Sequence, residues 1–174
     1  MHTPIATDGQ YYNPGYEHLK SIYHLKKAQV QVPLQAAIAY VLPLLAMQSA
    51  CLAIEEYVNL TGQKFDPAWN EYDRNTLPVK ERIAYVYEKM EQPLSFERGI
   101  WKEVLELFET TGLIKGDLSK MKRLHKEEIP VKFKDVAVEY PIYRSQAIAE
   151  EAIDILLDQS DICKALKRSS ALVK

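Results

Sequence analysis

Residues 34–60, LQAAIAYVLPLLAMQSACLAIEEYVNL, decide the fold. No charged residue occurs from position 28 to position 54, so the stretch is long enough to cross a bilayer. Pro43 and Gln48 interrupt it, however, and Glu55 and Glu56 follow where a membrane protein would carry a basic cluster. A helix that is apolar on all sides is also typical of one surrounded by other helices. We therefore expect a buried central helix and no membrane partner.

The composition indicates one soluble domain. The chain has 174 residues, 47% of them hydrophobic, which is enough to bury a core and excludes a disordered chain. The 22 basic and 24 acidic side chains leave a net charge of −2, which gives no reason to expect a dedicated binder of nucleic acid or anionic membranes. Two cysteines are too few for a disulfide scaffold and are typical of reduced thiols in a cytoplasmic protein.

Helical periodicity continues on both sides of the apolar stretch. The other segments with apolar residues at helical spacing are 16–27, 78–90, 95–111, a short one after 117, and 143–166. Gly62 is expected to end the central helix and Gly112 the helix over 95–111. Thr76 and Ser95 are expected to cap the helices that follow them. The sequence predicts a flexible tail over 1–15 and a single domain over 16–170, a mainly α bundle of about five helices.

One stretch differs from this helical pattern. Val131, Phe133, Val136, Val138 and Tyr140 alternate with polar or small residues, with one slip of register near the middle. This period of two predicts a short β ribbon around 131–140, in which the slip would be a bulge. The extended-looking residues 30–32 could pair with it.

The sequence contains few signatures of catalysis. Nucleophilic catalysis needs a base near the nucleophile, and no signature places one beside Cys51, Cys163 or a serine. Cys51 is expected to be a small buried residue. Motifs of the HExxH, CxxC and glycine-rich phosphate-loop kinds do not occur, so we expect no metal and no cofactor. Glu55 and Glu56 point apart on a helix, and we expect one of them to contact a neighbouring helix or solvent.

Residues 115–126 form the one notable cluster of charge. Their basic side chains are Lys115, Lys120, Lys122, Arg123 and Lys126, accompanied by His125 and opposed by Asp117 alone. Such a cluster attracts phosphate, so the candidate phosphate-binding residues are Lys115, Lys122, Arg123 and His125. The alternatives are a solvated helix face, or cations placed near a helix C-terminus where the macrodipole favours them. The acidic stretch 150–161 offers such a basic segment an intramolecular partner.

Residues 47–59, MQSACLAIEEYVN, and residues 101–108, WKEVLELF, resemble the central helix and the motif-bearing helix of HEPN-like proteins. The resemblance implies a helical bundle that forms a dimer. In the active ribonucleases of that family, an Arg followed by a polar residue, four to six residues and a His cuts RNA without metal. Here Thr111 stands at the Arg position, Gly112 at the polar position and Lys115 near the His position. The resemblance therefore implies a degenerate member without the catalytic pair.

Three functions follow as hypotheses. The first is a non-catalytic HEPN-like module that acts through a homodimer or another protein partner, with RNA as a further candidate ligand. The second is a metal-independent ribonuclease with relocated residues, in which His125 exchanges protons and Lys115, Lys122 or Arg123 holds the phosphate. The third is a membrane-associated protein anchored by residues 34–54.

Overall fold

The computed structural model describes residues 6–7, 10–11, 14–31, 36–66, 68–69, 76–121 and 131–171. These ranges contain six helices: α1 Pro14–Gln31, α2 Ala36–Phe65, α3 Val79–Met90, α4 Ile100–Met121, α5 Val131–Glu139 and α6 Ile142–Ala171. Two short strands, β1 Ala6–Thr7 and β2 Gln10–Tyr11, pair antiparallel within the stretch predicted as a tail. The predicted mainly α bundle is confirmed.

Helix α2 is the centre of the bundle. It contacts each of the other five helices. Its fully buried positions, among them Ala46, Ala50, Ile54 and Val58, recur every four residues and meet these neighbours. The segment Val41–Phe65 is long and apolar enough to cross a membrane, and half of it is buried inside the bundle. The core helix of a bundle can be equally long and apolar. Contact with five other helices explains the apolar character of α2.

Two helix ends differ from the prediction, and packing explains the first. Gly62 lies inside α2, which continues to Phe65. A Cβ at Gly62 would lie 2.5 Å from the ring of Trp69, so glycine is needed here for a close approach and not for a helix end. Gly112 does not end α4 either. The helix continues through Gly112 to Met121, so residues 118–121, which were predicted to begin a separate short helix, belong to α4.

The predicted caps of α3 and α4 are also wrong. Pro78, and not Thr76, occupies the position immediately before α3. Proline suits this place because its fixed φ is compatible with a helix start and it has no N–H to satisfy. Ser95 Oγ accepts from the N–H of Glu97 at 3.4 Å, but α4 begins only after Gly99, whose φ is +70°. The chain therefore turns once more before the helix begins.

The β ribbon predicted around 131–140 is wrong, because Val131–Glu139 forms helix α5. Ala137 and Tyr140 are buried and Val136 is half-buried, while Val138 is exposed, so the inner face has helical spacing. The alternating sequence fits both periods, and contact of α5 with α2 selects the helix. Residues 30 and 31 likewise belong to α1, and residue 32 lies outside the described residues.

Candidate functional site

The structure does not describe the side chains predicted to bind phosphate. Lys115 belongs to α4, but its side chain lies outside the described residues. Lys122, Arg123 and His125 lie outside them entirely. The phosphate site therefore stays a prediction. The buried polar side chains that the structure describes are Asn59, Thr61, Asp66, Arg82, Ser145 and Ser160. Several polar contacts join α3 to its neighbours, and we call the side chains that make them, Glu55, Asp66, Arg82, Tyr85 and Tyr87, the α3 polar cluster.

Arg82 carries a charge inside the bundle. Only 4% of its side chain is exposed, and its Nη2 donates to Oε1 of Glu55 on α2 at 2.5 Å. Arginine stays protonated when buried, so a carboxylate partner offsets part of its desolvation. The two adjacent glutamates were expected to contact a neighbouring helix or solvent, and Glu55 contacts the neighbouring helix through this pair. The signal for Arg82 was present in the sequence, because it shares a helix face with buried Val86 and Met90.

Tyr85 links α3 to the turn after α2 through a hydrogen bond and a ring contact. Its hydroxyl donates to Oδ2 of Asp66 at 2.7 Å, while Oδ1 of Asp66 accepts from the N–H of Ala68 at 2.9 Å. The ring of Tyr85 contacts that of Trp69, with centroids 5.9 Å apart, and Lys89 Nζ lies 5.0 Å from the Tyr85 centroid. The carboxylate of Asp66 therefore orders the start of the segment that leaves α2.

Tyr87 connects three helices in the core. Its hydroxyl accepts a hydrogen bond of 2.8 Å from Nε1 of Trp101 on α4, and the two rings meet edge to face at 5.5 Å. Burial raises the pKa of Tyr87 to about 12, although Gln159 on α6, which lies near the same hydroxyl, lowers it. At neutral pH the phenol is therefore a neutral structural group.

Cys51 is buried, as the sequence predicts. Its Sγ lies 3.5 Å from Oγ1 of Thr111, which itself donates to the carbonyl oxygen of Leu107 at 2.7 Å. Burial raises the pKa of Cys51 to about 12, and the charge of Glu55 adds to this rise. A thiol with this pKa is protonated at neutral pH, so Cys51 lacks the thiolate that a nucleophile needs.

A metal site would need several ligands close together. Across the part of the chain that the structure describes, no group of three His, Cys, Asp or Glu side chains has that arrangement. Besides Tyr140, the buried ionisable side chains in the described part of the chain are Cys51 and members of the α3 polar cluster. Comparisons of the chain with protein-family profiles, with curated proteins and with solved structures found no match.

Proposed function

We propose that the chain is a non-catalytic, HEPN-like helical module that acts by associating with a second copy of itself. The non-catalytic half of the proposal rests on what the reactive side chains of the described interior contact. The Glu55–Arg82 pair joins α2 to α3, the Tyr87–Trp101 bond joins α3 to α4, and the Cys51–Thr111 contact joins α2 to α4. Groups of the kind that enzymes use for catalysis serve here to hold helices together.

Thr111 supports the same proposal. The resemblance aligns it with the phosphate-binding Arg of active HEPN ribonucleases. Its hydroxyl donates to Leu107 and accepts from Cys51 inside the packing of α2 against α4. A neutral hydroxyl engaged in this way cannot replace a guanidinium, which holds phosphate by paired charged donors. Gly112, which follows it, offers no side chain at all.

The second half of the proposal, self-association, rests on the resemblance and on the exposed apolar residues of the central helix. Leu45 and Leu52 lie seven residues apart on α2 and are 41% and 38% exposed. Residues at this spacing share one side of a helix. On that side of α2 the two leucines lie beside exposed Gln48, and this exposed apolar pair is the feature of α2 on which we base self-association.

An RNA-degradation assay tests the non-catalytic half. We expect the purified chain to leave a mixed single-stranded RNA intact at micromolar concentration, and we expect the His125→Ala variant to behave identically. RNA cleavage that the His125→Ala substitution abolishes would contradict the proposal and support the ribonuclease hypothesis instead. Cleavage that persists in this variant and survives a repeat purification on a different column would also contradict the non-catalytic half, because residues other than His125 would then carry it.

A further inference from the structure

The ring of Trp69 lies on the bundle, although this residue belongs to none of the helices. It is part of the segment that follows α2, of which we call residues 66–69 the Trp69 arm, and its indole contacts Gly62 of α2 and Tyr85 of α3. Only 8% of Trp69 is exposed, and the residue belongs to the main hydrophobic core. Two helices thus provide the surface that receives the ring, whereas a connecting segment provides the ring.

The surface that receives the ring, which we call the Trp69 seat, is formed by Gly62 and Tyr85. A Cβ added at Gly62 would lie 2.5 Å from three ring carbons of Trp69. The φ angle of Gly62 is not positive, so the backbone does not require glycine here. Glycine inside a helix is less favourable than alanine, and what it permits at this position is the close approach of an aromatic ring. The seat is therefore shaped for a flat aromatic group.

Asp66 holds the Trp69 arm in place. Its backbone N–H donates to the carbonyl oxygen of Gly62, and its own carbonyl oxygen accepts from the N–H of Trp69, both at 2.9 Å. Its carboxylate accepts from the hydroxyl of Tyr85 at 2.7 Å and from the N–H of Ala68 at 2.9 Å. One side chain therefore joins the arm to α3 and fixes the turn that brings the ring onto the seat.

These anchors of the arm lie at one end of the bundle, at the last turns of α2 and at Tyr85. A segment held by local hydrogen bonds opens at a lower free energy than the whole fold. When the arm opens, the seat exposes the apolar surface that the indole covered, and covering this surface again is favourable. A free aromatic molecule can cover it, but it competes with a ring that is tethered beside the seat.

We propose that the Trp69 seat binds a free flat aromatic molecule of the size of indole, and that the Trp69 arm is the intramolecular competitor that closes it. Gly62 lies about 15 Å beyond Leu52 along α2, so the seat is separate from the apolar pair on which self-association rests. The proposed function neither includes nor requires this site. A ligand whose site is only partly open binds with an affinity reduced in proportion to the open fraction, so the arm sets the apparent affinity of the seat.

A titration with 5-fluoroindole, followed by fluorine NMR, tests the seat. We expect the Trp69→Ala variant to bind the probe with a dissociation constant of about 1 mM or lower, at least about tenfold tighter than the wild type. Trp69→Ala/Gly62→Ala places a Cβ in the seat and should bind at least about tenfold more weakly than Trp69→Ala. Trp69→Ala/Gly112→Ala is the matched control, because a Cβ at Gly112 meets no atom within 4 Å, and it should bind as Trp69→Ala does.

The role of the arm is tested with Trp69 in place. Asp66→Ala removes the carboxylate that accepts from Tyr85 and Ala68, so the arm should open more often. We expect this variant to bind 5-fluoroindole at least about threefold more tightly than the wild type and less tightly than Trp69→Ala. Glu88→Ala changes an exposed acidic residue on α3 and should bind as the wild type does. Circular dichroism checks that every variant is folded.

Each contrary result overturns a defined statement. A folded Trp69→Ala variant that binds the probe no better than the wild type overturns the seat. Binding to Trp69→Ala that the added Gly62→Ala leaves unchanged also overturns it, since the probe then lies elsewhere. Asp66→Ala with the affinity of the wild type overturns the role of the arm, and it decides the whole proposal if Trp69→Ala does not fold. All of these outcomes leave the proposed self-association untouched.

Discussion

The hydroxyl of Tyr87 accepts a hydrogen bond from Nε1 of Trp101 at 2.8 Å, inside the core where α3 meets α4. The tyrosine is 2% exposed and the tryptophan 5% exposed, so water does not compete for either group. An indole N–H that is buried with its acceptor removed retains the cost of its own desolvation. This bond therefore contributes to the free energy of unfolding and fixes how the two helices dock.

The Tyr87→Phe substitution should lower the free energy of unfolding by about 1–3 kcal/mol, because it leaves the buried N–H of Trp101 without this acceptor. Urea denaturation followed by tryptophan fluorescence measures the loss. The control is Tyr23→Phe, which removes a hydroxyl from a tyrosine that is 56% exposed and should change stability by less than about 0.5 kcal/mol. Equal effects of the two substitutions would refute the role given to the bond.

Gly62→Ala should destabilise the protein by about 1–3 kcal/mol, although alanine is the better helix former. The reason is the ring of Trp69, which lies 2.5 Å from the position of the added Cβ and must shift. Gly112→Ala is the matched control, because it lies inside α4 with no atom within 4 Å of its added Cβ. That substitution should stabilise by about 0.5–1 kcal/mol. Thermal melts of both variants show whether the signs are opposite.

Glu55→Ala should destabilise the protein by about 2–4 kcal/mol, since it removes a carboxylate from the buried charge of Arg82. Glu55→Gln keeps an oxygen acceptor and should cost less. Glu88→Ala changes an exposed glutamate on α3 and serves as the control. If Glu55→Ala proved as harmless as Glu88→Ala in urea denaturation, the pair would not hold α2 against α3.

Stability should fall at alkaline pH through Cys51. Its pKa is raised by burial from 9.0 to about 12, so the unfolded chain loses this proton first as the pH rises. The stability it contributes is complete below pH 9.0 and is lost as the pH rises towards about 12. Between about pH 8 and about pH 10 the wild type should lose about 1 kcal/mol more than Cys51→Ala. Parallel pH dependences in urea titrations would mean that this thiol ionises equally in both states.

The helices that sequence analysis predicts best are those whose buried residues carry the pattern themselves. Helix α3 lies where it was expected, because Ile83, Val86, Tyr87 and Met90 form one apolar side and all four are buried. The error at α5 has the opposite origin. Its β-branched residues alternate, and only contact with α2, which is distant in sequence, decides between the two periods.

The same distinction applies to the polar residues. Burial of Cys51 follows from its apolar neighbours in the sequence, and the structure confirms it. The partner of Arg82 does not follow, because Glu55 is 27 residues away and lies on another helix. Local periodicity can indicate that a charged residue lies on a buried side. It cannot indicate which carboxylate the fold brings to it.

Self-association is the central claim, and sedimentation velocity of the wild-type chain at low salt tests it most directly. At about ten micromolar, where a dimer of micromolar affinity is mostly assembled, we expect a species of twice the 20.0 kDa chain mass that dissociates to monomer on dilution. A single species of 20.0 kDa, both at about ten micromolar and after dilution, would contradict self-association.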